Sequence, residues 1–178
     1  MNTVKSIDLS DLGKGEIPAL TRHFGLILAE CAAVCLEEQG NYSGVGLKVE
    51  GDFEELFRLT LPEVTQQMRN CYNDSEVATE HGAYGVAIML ILDLTEYTVI
   101  EKSRKGTAFD YWLGKRDDNY LYNDRARLEV SGIRKGDDSD MTYRSKIKLS
   151  RLLKQQNPMS AFIIIVEFSR PKSNIKRL

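Results

Sequence analysis

Residues Ala161 to Phe168 read Ala-Phe-Ile-Ile-Ile-Val-Glu-Phe, an apolar run broken by a single acid. A stretch this short and this rich in β-branched residues reads as a strand buried on both faces. Such a strand needs an apolar layer above and below it, which constrains the chain to a sheet carrying helices on its faces. The pattern upstream agrees. Ser75 to about Leu94 reads as a strongly apolar helix, with Asn73 and Glu76 in capping-box spacing. Tyr97 to Glu101, Thr107 to Leu113 and Ala126 to Ile133 read as three strands, the first two joined through Ser103-Arg104-Lys105-Gly106. A charged loop, Arg134 to Asp140, leads to a helix from about Arg144 to Gln156, stopped by Asn157-Pro158. Closely spaced strands are expected to be antiparallel, and the helical crossover sets the last strand parallel to a neighbour. The predicted class is α/β (α+β), a mixed central sheet with helices on its faces.

Ahead of this core, Ile17 to Gln39 has apolar residues at helical spacing and ends at Gly40. Val45, Leu47 and Val49 alternate with polar neighbours, and Glu55 to Leu61 supplies a partner strand. A short helix is predicted from Pro62 to about Tyr72. The expected organisation is a single domain over 1–178. An N-terminal helix and hairpin (1–74) elaborate a core (75–169) that is followed by a basic tail (170–178).

With 42% apolar and 28% charged residues, disordered, collagen-like and disulfide-scaffold classes are excluded. Cys31, Cys35 and Cys71, with His23 and His81, are too few for a Cys/His zinc site, and Cys31 and Cys35 fall on an apolar helix face as buried thiols. Met1 to Glu16 lacks the apolar centre of a signal peptide. The run Gly85 to Leu92 falls short of the ~20 residues that cross a bilayer. A cytoplasmic, reduced protein without a membrane partner is expected, as a single chain or a homo-oligomer.

The formal charge of −2 conceals an asymmetry. From Thr142 to Leu178 there are nine basic residues and one acid, while the preceding 141 residues hold 15 basic and 25 acidic side chains. An anionic partner for the basic part is one reading, a solvated helix face the other. Three acids stand out elsewhere. Glu76 and Glu80 are four apart on the second helix, in line with Ala83 and Ala87. Asp110 lies within Thr107 to Leu113, and Glu129 lies within Ala126 to Ile133 on one face with Arg127 and Ser131. Acids inside apolar strands are costly without a cation or donors, and Mg²⁺ suits one or two carboxylates with waters. Alternatively, Asp110 pairs with Arg127, and Glu129 with Lys105 or Arg104, as ordinary cross-strand ion pairs.

Asp110, with Glu129 nineteen residues on and Ser131 two beyond, set in helix-strand-strand-strand-helix-strand, resembles the PD-(D/E)xK nuclease family. The resemblance covers about Ser75 to Phe168. It implies the restriction-endonuclease-like αβββαβ core and a metal-dependent nucleic-acid hydrolase. Asp110 and Glu129 would ligate Mg²⁺ or Mn²⁺, with Glu80 (or Glu76) as the helix acid. The family lysine position holds Ser131 here. Lys105 is then the preferred catalytic cation, with Arg127 and Lys148 as other candidates. Arg144, Lys146, Lys148, Arg151, Lys154, Lys172, Lys176 and Arg177 would contact nucleic-acid phosphates, DNA ahead of RNA. Bacterial proteins of this class often serve in defence against foreign DNA. The alternative is a catalytically inactive subunit that keeps the fold and binds nucleic acid or a protein partner.

Overall fold

A computed structural model describes residues 4–116, 122–155 and 159–178. Its strands are β1 (Lys5–Asp8), β2 (Gly46–Gly51), β3 (Glu55–Thr60), β4 (Thr98–Lys102), β5 (Tyr111–Arg116), β6 (Tyr122–Ile133), β7 (Ala161–Glu167) and β8 (Lys172–Arg177). Its α-helices are α1 (Arg22–Glu37), α2 (Gln66–Cys71), α3 (Ser75–Leu94) and α4 (Asp138–Leu153). All eight strands join one mixed sheet, in the order β1-β3-β2-β8-β7-β6-β5-β4. β4, β5 and β6 form an antiparallel meander, and α4 carries the chain across to β7, parallel to β6. This is the strand relationship the sequence predicts.

β7 is buried along its whole length, as its composition requires. Its even positions, Phe162, Ile164 and Val166, enter the larger core with α1 and α3. Its odd positions, Ile163 and Ile165, enter a smaller core under α4 with Phe109, Ile133, Met141 and Leu152. The acid in the run has a specific task. Glu167, fully buried, accepts hydrogen bonds from the backbone N–H groups of Ser169 at 2.8 Å and Arg170 at 2.9 Å. It thereby caps a turn that folds the chain back on itself.

That turn overturns the expected basic tail. Residues 172–177 form β8, antiparallel to β7 and parallel to β2. The N-terminal hairpin is likewise not an appendage, because β8 links β2 to the rest of the sheet. The helix N-termini also differ from expectation: α1 begins at Arg22, not Ile17, after the N-cap Thr21, and α2 at Gln66, not Pro62, after the N-cap Thr65. The N-cap of α3 is Asp74, not Asn73, and its carboxylate accepts from the N–H groups of Glu76 and Val77. α4 begins at Asp138, inside the predicted loop, because Asp137 and Asp140 form a reciprocal capping box. The Asn157-Pro158 stop lies outside the described residues. By length and composition α3 could cross a membrane, yet most of it is buried between α1 and the sheet.

Close packing of α3 on the sheet depends on Gly132. A Cβ there would lie 2.6 Å from the carbonyl oxygen of Thr79 and 3.0 Å from Ala83 Cβ. The missing side chain lets the first turns of α3 lie directly on β6, which carries Glu80 and Tyr84 to the start of β5.

Candidate active site

β6 alternates strictly over its described inner half. Ala126, Leu128 and Val130 face the large core, whereas Arg127, Glu129 and Ser131 meet α4. The three polar positions contact α4 or its end in succession. Ser131 Oγ lies 3.4 Å from an Arg144 guanidinium nitrogen, Glu129 pairs with Lys148, and Arg127 donates to Gln155 Oε1 at 3.0 Å. Arg127 also donates to the Met159 carbonyl at 2.6 Å. The cross-strand pairs proposed from sequence alone, Asp110 with Arg127 and Glu129 with Lys105 or Arg104, are therefore replaced: Arg127 and Glu129 meet the α4 side, and the cation near Asp110 is Lys102 of β4.

Asp110 sits just before β5, not in its middle. Its backbone N–H donates to the Leu128 carbonyl at 2.8 Å, and its Oδ2 accepts from the Val130 N–H at 2.8 Å. The carboxylate thus satisfies a β6 amide left without a ladder partner where β5 begins. Its Oδ1 accepts from the Tyr84 hydroxyl at 2.8 Å, and the same hydroxyl lies 2.7 Å from Glu80 Oε1. A phenol has one hydrogen, so the two acids compete for it. Burial, and then the Asp110 charge, hold the Tyr84 phenol far above the usual tyrosine range.

Register sets Asp110 beside Glu129. Burial first, and then the charge of Asp110, push the Glu129 carboxyl up to about 7, against the pull of Lys148. Lys102, the last residue of β4, completes the group: its Nζ is 3.9 Å from Asp110 Oδ1. Partial burial lowers the Lys102 pKa, opposed by Asp110, Glu80 and Glu129 in that order.

Three carboxylates therefore stand near two ammonium groups, with the Arg144 guanidinium in the adjoining cleft. The expected trio of metal ligands is not assembled, however. Among the described residues no group of three or more His, Cys, Asp or Glu converges on a point that could hold a metal ion. Glu80 reaches Asp110 through the Tyr84 hydroxyl, and Glu76 is exposed at the rim. Asp110 and Glu129 do adjoin, with Lys148 bonded to Glu129 and the Val130 N–H and Tyr84 hydroxyl bonded to Asp110.

A cleft of about 480 Å³ adjoins this group, lined by Glu80, Tyr84, Ser131, Arg134, Arg144 and Lys148 among others. Lys105 does not line it; it is exposed on the turn before Asp110. Tyr84 and Lys102 were not expected from sequence. The signal for Tyr84 was its four-residue spacing from Glu80, which brings the two side chains together on one helix face.

The predicted phosphate-contacting residues do not form one surface. Arg144 and Lys148 enter the cleft, and Arg151 and Lys154 are exposed at the end of α4. Lys146, Lys172 and Lys176 line a separate groove of about 390 Å³ with Glu50 and Asp138. Lys172 is bound there to Glu50 at 2.8 Å and to Asp138 at 3.1 Å. Arg177 lies over Phe162, on the opposite sheet face, because β8 alternates. Comparison with protein-family models, with curated proteins and with solved structures finds no match to this chain.

Proposed function

We propose that this protein is a nucleic-acid phosphodiester hydrolase built on a restriction-endonuclease-like core. One observation carries the reading: Asp110 and Glu129 adjoin at the start of β5, between Glu80 of α3 and Lys148 of α4. The element order α3-β4-β5-β6-α4-β7 supports it. Asp110 and Glu129 would hold a divalent ion, Mg²⁺ or Mn²⁺, which polarises a phosphate and lowers the pKa of a bound water. The chain's own residues do the positioning. The Val130 N–H and the Tyr84 hydroxyl fix the two oxygens of Asp110. Lys148, bonded to Glu129, stands in for the lysine absent at Ser131 and orients the water. Lys148 takes this role ahead of Lys105, whose side chain is on an exposed turn. Arg144 receives the substrate backbone in the cleft, with little base preference and a marked salt dependence.

A supercoiled plasmid and a single-stranded oligonucleotide incubated with Mn²⁺ test this. Asp110→Asn and Glu129→Gln should each lower cleavage by at least about 100-fold while the proteins stay folded. Cleavage that survives both substitutions sinks the proposed site.

A second reading is a non-catalytic subunit that keeps the fold. It is favoured by the Glu129–Lys148 ion pair, which already supplies a cation to the buried acid. That reading predicts no cleavage by the wild type and no Mn²⁺ binding in calorimetry.

A further inference from the structure

Lys102 approaches the acids from the edge strand of the sheet, in register with Tyr111 of β5. Its Nζ lies 4.1 Å from the ring centroid of Tyr84 and 4.2 Å from that of Tyr111. The two rings meet edge to face at 5.4 Å, so they form two walls of an open cage. A ring face holds an ammonium through its quadrupole and leaves the full positive charge in place. The contact to Asp110, at 3.9 Å, is longer than a hydrogen bond.

Lys148 is in the contrary situation. It is hydrogen-bonded to Glu129, and its side chain is 19% exposed, against 48% for Lys102. One lysine is already hydrogen-bonded to a buried acid. The other is held in position by two ring faces and is about half exposed. Tyr84 serves both ends of the arrangement, its hydroxyl on Glu80 and Asp110 and its ring under Lys102.

We propose that Lys102 is the phosphate ligand of this site: its ammonium takes a non-bridging oxygen of the nucleic-acid phosphate seated beside Asp110 and Glu129. Lys102 makes and breaks no covalent bond. It stabilises negative charge on the phosphate, and the tyrosine cage keeps it from collapsing onto Asp110. The inference rests on the reading of the site as a phosphodiester hydrolase.

Two measurements on the full chain test it. In the first, the side-chain ¹³Cε signal of Lys102, assigned with K102R, is followed by NMR while a 12-base-pair DNA duplex is added in EDTA. The signal should shift in step with binding. In the second, cleavage in Mn²⁺ is compared for wild type, D110N, K102M, K102R and the remote K14M. K102M should lose about 100-fold in cleavage rate with its thermal midpoint unchanged. K102R should recover at least about 10-fold of that loss, and K14M should match wild type. A Lys102 signal that does not move, whether or not the duplex binds elsewhere, overturns the proposal. So does wild-type cleavage by K102M when D110N is inactive, an outcome that leaves the hydrolase reading standing. A shifted Lys102 signal with an inactive wild type does the reverse: the phosphate contact holds and the hydrolase reading fails.

Discussion

Glu129 is the residue on which the chemistry of the site turns, and its titration has a definite sign. Its carboxyl is raised from the ordinary 4.5 to about 7 by burial and by Asp110. Between those values the native protein holds a proton that the unfolded chain has released. Stability from this group is therefore full below about 4.5 and is lost as pH rises through 7. Glu129→Gln should flatten that fall, which is on the order of 2 kcal/mol, in urea unfolding compared at pH 5 and pH 8. A wild-type slope that the variant retains would assign the dependence to another group. Tyr111 offers a second test. Its hydroxyl is buried and has no hydrogen-bond partner among the described residues. Tyr111→Phe should stabilise the protein by about 1 kcal/mol in the same measurement, because it removes an unsatisfied polar group and keeps the ring under Lys102. A loss of stability would mean that the hydroxyl has a partner.

At the scale of elements, the site is made by two helices held at different distances from β6. α3 lies close because Gly132 admits the Thr79 carbonyl. α4 stands off, and Arg144, Lys148 and Gln155 span the gap to Ser131, Glu129 and Arg127. Gly132→Ala should push α3 away from the strand. The obstacle is a backbone oxygen and cannot rotate aside, so the expected cost is about 2 kcal/mol in thermal or urea unfolding. Glu80 and Tyr84 move with α3, so the proposed cleavage should fall as well. An unchanged midpoint would show that the helix has room to yield.

At the scale of the whole molecule, the charge of −2 proved less informative than its distribution, and the distribution less so than its geometry. The C-terminal basic residues are divided among the cleft, the groove over β8 and the opposite sheet face. Part of that charge is used internally, as in Lys172 with Glu50 and Asp138. β8 holds β7 on one side and β2 on the other. Deleting residues 171–178 should therefore abolish cooperative unfolding and leave the chain aggregation-prone, since two buried strand edges would be bared. A dispensable basic tail would leave the thermal midpoint where it was.

The sequence by itself determined the element types of the core, the burial of Ala161 to Phe168 and the faces of β6. Each of these rests on a local pattern, a period of two or of 3.6 or, for Ala161 to Phe168, a continuous apolar run, which the chain carries in its own residues. Asp110 and Glu129 were legible for the same reason: an acid in an apolar strand is conspicuous. Lys148 stood only among several candidate cations, Tyr84 carried no more than its spacing from Glu80, and Lys102 was not legible, because nothing in the local pattern distinguishes a lysine that meets an acid from one that meets water. Register decided that, setting Lys102 opposite Tyr111 and Glu129 beneath α4. The tail became a strand through Glu167, whose buried carboxylate caps the turn into β8. The cap is local, but β8 is a strand because it also pairs with β2, more than a hundred residues earlier. Only the tertiary structure brings such partners together, because pairing across that distance is set by the packing of the whole sheet and not by any local period.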